Sequence, residues 1–302
     1  MNTATNFDVI IVGGSYAGLS SAMALGRSLR NVLIIDSGLP CNRQTPQSHN
    51  FITHDGEAPA VIAEKAKVQV LSYPTVSLHN GFAASGRKTN TGFIIKTLEG
   101  LEFKAKKLIF ATGIKDIMPD IRGFEQCWGI SVIHCPYCHG YEFRNQKTAI
   151  MANGERAFHL ASLVHNLSSQ VSIIASGKAE FTDEQCNKLQ MHNISITEKK
   201  IQEVIHENGH LTNIVFEDGE TIKLNALYAA VPFKQHSDIP AILGCELTEM
   251  GHIKTDPFQK TNIAGIFACG DNSSMMRSVS YAVATGGIAG SMVNKELVDD
   301  VF

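Results

Sequence analysis

The sequence predicts an α/β protein in which one strand–turn–helix–strand unit occurs twice. Two observations carry that expectation. An apolar, β-branched run, Phe7-Asp8-Val9-Ile10-Ile11-Val12, ends in the glycine-rich turn Gly13-Gly14-Ser15-Tyr16-Ala17-Gly18 and passes into a small-residue helical stretch. The same order of elements returns from Lys147-Thr148-Ala149-Ile150-Met151. The chain has 302 residues, 44% hydrophobic and 18% charged, which is enough for a folded core. At about 100–200 residues per domain, two domains are expected.

Taken in order, the first helix runs from Ala17 to Leu29, and the apolar run Val32-Leu33-Ile34-Ile35 stops at Asp36. This completes a Rossmann-type βαβ unit whose connection is long enough for parallel pairing. Lys107-Leu108-Ile109-Phe110-Ala111 reads as another buried strand. The second unit has a helix from Glu155 to Leu167 and a second strand at Val171-Ser172-Ile173-Ile174. Thr182-Asp183-Glu184-Gln185 reads as a capping box, and Ile201 to Phe216 as a hairpin turning at Glu207-Asn208-Gly209. A strand at Gly265-Ile266-Phe267-Ala268 and a helix from Val279 to Glu296 close the chain.

Composition excludes several functions. Lys and Arg number 26 against 29 Asp and Glu, and the net charge of -3 leaves no basic stretch for a nucleic-acid surface. No apolar run reaches the roughly 18 residues of a membrane span, and Met1-Asn2-Thr3-Ala4-Thr5-Asn6 lacks the regions of a signal peptide. A soluble, cytoplasmic protein is expected. Seven cysteines in so long a chain argue against a secreted disulfide scaffold. Any close pair is left for catalysis or metal binding.

The first glycine turn stands where a dinucleotide's pyrophosphate would meet a helix N-terminus, with glycines that let the backbone come close. Asp36 follows at a strand end, where a carboxylate accepts hydrogen bonds from ribose hydroxyls and repels a 2′-phosphate. Ser15 replaces the middle glycine and adds a small side chain near the phosphates. The second turn, Ala152-Asn153-Gly154-Glu155-Arg156-Ala157, is weaker, because Ala152 occupies the tight-turn position and an L-residue is penalised if φ there must be positive. After its second strand, Ala175-Ser176-Gly177 offers neither a carboxylate for a ribose nor an arginine for a 2′-phosphate. NAD(P)H binding is therefore doubtful, with Arg156 the one cation in the turn.

Cys135-Pro136-Tyr137-Cys138-His139-Gly140 places two sulfurs within disulfide reach at a helix start. Pro136 suits the first helical position. Cys135 would cap the helix, whose dipole favours the thiolate, and His139 would move the proton that thiol exchange releases. Two other readings stay open: a zinc site drawing on Cys127, Cys135, Cys138 and His134 or His139, and a packed structural pair. Cys41, Cys186, Cys245 and Cys269 read as small buried hydrophobes.

With these residues in view, the chain resembles the low-molecular-weight thioredoxin reductases across nearly its whole length. The ordered matches are the opening glycine turn, His49-Asn50-Phe51 with Asp55-Gly56, Ala111-Thr112-Gly113, the Cys-x-x-Cys with Arg144-Asn145-Gln146-Lys147, and Thr261 through Ala268-Cys269-Gly270-Asp271. The resemblance implies two Rossmann-like domains of the class II pyridine nucleotide-disulfide oxidoreductase type. Residues 1–116 and 242–302 would form the FAD domain, and 117–241 the NAD(P)-type domain carrying the cysteine pair. It implies a homodimer and places the FAD pyrophosphate at Gly13, Gly14, Ser15, Tyr16, Ala17 and Gly18. The adenosine ribose would lie at Asp36 and the ribityl chain near Asn50 and Asp271. Asn42, His49, Ala111, Thr112, Gly113, Gly270, Ser278 and Val279 would complete the cofactor set.

Cys138 would be the sulfur nearest the flavin and Cys135 the one that attacks the substrate, while His139 stands where the reductases carry an aspartate acid. Cys-Pro-Tyr-Cys-His-Gly-Tyr-Glu is similar to the branch of this fold that oxidises dithiols of small sulfur-containing natural products and passes electrons through FAD to oxygen. The expected function is an FAD-dependent thiol-disulfide oxidoreductase that exchanges electrons between the flavin and the Cys135/Cys138 pair with poor or absent NADPH use. The alternatives are an NADPH-dependent reductase of a thioredoxin-like protein or other disulfide, an oxygen-dependent oxidase of a small dithiol, and a non-enzymatic flavin or zinc module.

Overall fold

The computed structural model describes residues 6–302; the segment Met1 to Thr5, read above as part of a start without a signal peptide, lies outside them. The chain divides into two compact units. The first comprises the chain up to Arg43, Pro59–Lys115 and Phe233–Phe302, and the second Gln44–Ala58 and Asp116–Pro232. Among the described residues no helix is long and apolar enough to cross a membrane.

In the first unit, β1 (Asn6–Val12), α1 (Tyr16–Arg27) and β2 (Val32–Asp36) realise the expected βαβ unit. Residues 9–12 of β1 and 32–35 of β2 are buried, as befits a parallel sheet covered on both faces. They are followed by α2 (Pro59–Leu71), β3 (Val76–Asn80), β4 (Ala83–Thr89), β5 (Gly92–Thr97) and β6 (Glu102–Phe110). β3, β2, β1 and β6 lie side by side in parallel, and β5 and β4 continue the sheet antiparallel. The strand order reverses between β1 and β6, so their carboxyl ends, Gly13 and Ala111, flank the crevice where open α/β sheets bind ligands.

β7 (Ile114–Asp116) leads into the second unit, which contains α3 (Phe124–Cys127), β8 (Val132–Ile133) and the single-turn α4 (Pro136–His139). Then come β9 (Thr148–Met151), α5 (Gly154–His165), β10 (Val171–Ile174) and α6 (Asp183–Met191). The Thr182 capping box is formed in both directions. β11 (Ser195–Thr197) is followed by β12 (Ile201–Glu207), β13 (His210–Phe216) and β14 (Thr221–Lys223), an antiparallel meander containing the expected hairpin. β15 (Ala226–Ala229) completes a parallel sheet ordered β11, β10, β9, β15, β8.

The chain returns through β16 (Phe233–Gln235), which pairs with β7, then α7 (Ile239–Ile242), β17 (Ile266–Ala268) beside β6, and α8 (Val279–Asp299). The long α8 lies on α1 because its glycines allow contact at backbone distance. A Cβ on Gly286 would sit 2.2 Å from the Ala17 carbonyl oxygen, and one on Gly290 2.5 Å from that of Ser21. Ser21 Oγ ties the pair by donating to Ala17 O and Gly286 O.

The division differs from the expected one in two respects. The return to the first unit falls at Phe233 rather than 242, because β16 pairs there before α7 begins. Residues 44–58, expected within the first unit, group with the second. Thr45 packs on Gly129, where an added Cβ would meet Thr45 Oγ1 at 3.0 Å, and His49 meets Glu142.

Candidate flavin cradle and cysteine pair

The first turn is shaped for a close ligand. Gly13 has φ +106°, and a Cβ there would lie 2.2 Å from the Ala111 carbonyl oxygen. A Cβ on Gly18 would lie 1.9 Å from the Gly13 carbonyl oxygen, so only glycine lets the helix start against the turn. Gly14 abuts Asp36, whose Oδ1 accepts from the Gly14 N–H at 2.9 Å. One carboxylate oxygen thus fastens the turn. Ser15 is the N-cap of α1 but its side chain makes no capping bond, so the N–H groups of the first turn stay available to an anion.

Tyr16 closes one wall: its hydroxyl donates to Pro59 O at 2.9 Å and accepts from Asn42 Nδ2 at 3.5 Å, and burial raises its pKa above the usual tyrosine value. On the opposite side are Ala111, Thr112 and Gly113 (φ +62°), then Gly270 (φ +81°), whose N–H donates to Thr285 Oγ1. Asp271 Oδ2 accepts from Cys41 Sγ and lies 3.8 Å from Arg277 Nε. Ser278 caps α8 by accepting from Tyr281 N–H, and Val279 is the first helical residue.

Sequence reasoning missed two residues here. Asn272 is fully buried; its Nδ2 donates to Phe110 O (2.8 Å) and Thr112 Oγ1 (3.1 Å), while its Oδ1 is a buried acceptor without a partner. Arg277 is the cation beside Asp271. The available signal was a lone arginine and an amide among small residues between the last strand and the last helix. The glycine cradle, the open helix start and the orphaned Asn272 oxygen fit an extended dinucleotide such as FAD.

In the second unit Cys135 and Cys138 form a disulfide, with Cα atoms 5.4 Å apart. Cys135 is the N-cap, Pro136 takes the first helical position, and the Cys138 N–H donates to Cys135 Sγ at 3.2 Å. The helix stops after one turn, so the expected full dipole is absent and that single N–H is what favours a thiolate on Cys135. His139 is largely enclosed. Burial pulls its imidazole below the usual histidine range, Glu142 opposes this and His49 adds to it, so at neutral pH it is an uncharged base. Cys127 lies in the apolar core with its thiol pushed up to about 11 by burial. Among the described residues no group of three or more His, Cys, Asp or Glu is placed to hold a metal ion.

His49 and Asn50, expected beside the flavin, make contacts within the second unit. His49 stands against Glu142 (Nε2 to Oε1, 3.5 Å), and Asn50 is exposed with its N–H donating to Asp55 Oδ1 at 2.7 Å.

The second turn departs from the expected strain. Ala152 and Asn153 keep negative φ, and the left-handed residue is Gly154 at +56°. The Asn153 side chain turns back on its own loop: its Oδ1 accepts from Gly154 N–H (2.9 Å) and Glu180 N–H (3.0 Å), and its Nδ2 donates to Lys178 O (2.8 Å). Acidic groups surround the turn. Glu155 opens the helix and bonds to Gln185, and Glu198 accepts from Ala179 N–H in the loop after β10. Arg156 is exposed.

A dinucleotide cradle and a cysteine disulfide on one chain define an FAD-dependent oxidoreductase acting on sulfur groups. The chain belongs to the pyridine nucleotide-disulphide oxidoreductase family, whose model matches residues 7–286. It is similar to a thioredoxin reductase of Claviceps purpurea, 32% identical over 312 aligned residues that cover 100% of this chain and 97% of the relative. A thioredoxin reductase of Leptosphaeria maculans is 31% identical, over 95% of this chain and 93% of its own length. Among solved structures, an oxidoreductase from Agrobacterium tumefaciens superposes with a TM-score of 0.91 at 35% identity, over 98% of this chain and 99% of that one.

Proposed function

We propose that the protein oxidises a small dithiol through the Cys135–Cys138 disulfide and uses NAD(P)H poorly or not at all. The observation that carries this reading is the second turn. Asn153 already occupies the amides that would hold a pyrophosphate, and glutamates stand where a nicotinamide dinucleotide would bring its anionic groups. A cradle already saturated by its own side chain gives little binding energy to a phosphate. An acidic border opposes the phosphate further.

In the dithiol reaction, a substrate thiol yields its proton to neutral His139 and its sulfur bonds to Cys135 Sγ as the bond to Cys138 breaks. The second substrate thiol is deprotonated in turn, closes the substrate disulfide and releases Cys135. Two electrons then rest on the cysteine pair. Bound FAD supplies the two-electron acceptor that restores the disulfide, with oxygen as the terminal oxidant.

The test is anaerobic mixing of the oxidised holoprotein with NADPH, with NADH and with dithiothreitol, following the visible flavin band. Bleaching by dithiothreitol, reversed by air, is the expected result. Rapid bleaching by micromolar NADPH would overturn the reading in favour of an NADPH-dependent reductase of thioredoxin-like proteins, the name that the fungal relatives carry. His139→Ala is expected to slow dithiol oxidation by about 100-fold at neutral pH, the lower bound for a lost base. Because burial depresses the His139 pKa, the wild-type rate should hold as pH falls to the ordinary histidine value and decline only below it. A decline already at pH 7 or above would remove His139 as the base.

A further inference from the structure

Segment 44–58 folds into a closed loop on the second unit. Ser48 N–H donates to Glu57 O (2.7 Å), Gly56 N–H to Ser48 O (2.9 Å), and Asn50 and Thr53 take left-handed φ of +59° and +74°. Holding two non-glycine residues there costs backbone energy, so the loop is shaped for a purpose beyond linking β2 and α2. Its effect is to place His49, with a side chain 18% exposed, edge-on to His139 at a ring separation of 6.3 Å.

His49 joins two carboxylates. Its Nε2 lies 3.5 Å from Glu142 Oε1, and its Nδ1 3.5 Å from Asp55 Oδ1. Glu142 follows the cysteine turn directly and has a buried Oε2 with no hydrogen-bond partner. Exposure rises outward along the group, the Glu142 side chain being 34% exposed and that of Asp55 67%. The remaining titratable neighbour is Tyr228 on β15, whose hydroxyl is pushed up to about 12 by burial and by Glu142 and so stays protonated.

We propose that His49 and Glu142 are positioning residues that carry protons from His139 to solvent at Asp55. The inference rests on the dithiol reading above. Oxidation of one dithiol removes two electrons and two protons; the electrons pass to the cysteine pair and the protons leave the two thiols in succession. The cysteine pair is released as thiolates, the form that passes electrons on, so the protons do not return to it; His139 holds one proton at a time and must be emptied between the steps. An imidazole flanked by two carboxylates is suited to accept and pass on a proton at each end, and the unpartnered Glu142 oxygen is the acceptor nearest the enclosed part of the site.

The two residues act on His139 with opposite sign: Glu142 favours its protonation and His49 disfavours it. The test uses the FAD-loaded full chain with His49→Gln, Glu142→Gln and, as reference, His139→Ala. Flavin content and melting temperature are recorded to verify folding. Anaerobic reduction by dithiothreitol is followed against pH, and a second readout needs no turnover: alkylation of the reduced cysteines by iodoacetamide against pH.

Each relay variant should slow reduction by about 10-fold, less than the loss of the base itself. The acid limb should move to lower pH in Glu142→Gln and to higher pH in His49→Gln, and added imidazole should restore the rate of His49→Gln. Should His49→Gln fail to hold flavin, Asp55→Asn removes the outlet at an exposed position and should show the same slowing. Unchanged rates, or limbs that move in the same direction, would overturn the relay. A slow His139→Ala beside wild-type rates in the other variants would sink the relay alone. Wild-type rates in all of them, His139→Ala included, would sink the dithiol assignment of His139 as well.

Discussion

Gly13→Val is expected to yield a folded but colourless protein. Gly13 sits at φ +106°, a conformation a β-branched residue avoids, and its Cβ would lie 2.2 Å from the Ala111 carbonyl oxygen. The Ala111 backbone is anchored by its N–H to Val12 O and directly follows the fully buried Leu108-Ile109-Phe110 end of β6, so it cannot yield cheaply. The turn would have to shift, taking the open N–H groups of α1 and the Gly14–Asp36 bond with it. Those are the groups offered to the pyrophosphate and to the ribose. The loss is therefore of binding, and the second unit, with its own apolar clusters, should keep its secondary structure. The measurement is the ratio of visible to ultraviolet absorbance after purification, beside circular dichroism. Wild-type flavin occupancy in Gly13→Val would show that the cofactor is held elsewhere.

Cys135→Ser and Cys138→Ser are each expected to lower dithiol oxidation by at least about 10³-fold, since a hydroxyl cannot form the covalent bond on which the exchange depends. They should differ in what they trap. Cys135 receives the Cys138 N–H and is the sulfur better held as a thiolate. Cys138→Ser, which leaves Cys135 without its resolving partner, should therefore take up a linear disulfide such as glutathione disulfide as a stable adduct visible by intact mass. The same adduct should form about 10-fold more slowly on Cys135→Ser. Faster trapping in Cys135→Ser would reverse the two roles, and full turnover in either variant would exclude the pair from the reaction.

How much of this was legible beforehand varied with the range of the interactions involved. The first βαβ unit, its turn and Asp36 were readable because apolar periodicity, glycine placement and a strand-end carboxylate act over neighbouring residues. The cysteine turn was readable for the same reason, down to Cys135 as cap and Pro136 at the first position. So was the Thr182 capping box, whose two bonds lie within four residues.

The sequence by itself thus determined the class of fold, the glycine turn of the first unit and the pairing of Cys135 with Cys138. Only tertiary structure decided which unit residues 44–58 join, because that depends on Thr45 meeting Gly129 and on His49 meeting Glu142, contacts between segments far apart in the chain. It also decided that Asn272 would be wholly buried and bonded to Phe110 and Thr112, and that the Asn153 side chain would accept from the Gly154 and Glu180 N–H groups. An asparagine in a turn is compatible with many partners. Which of them it bonds is settled by the backbone amides that packing brings within about 3 Å of it.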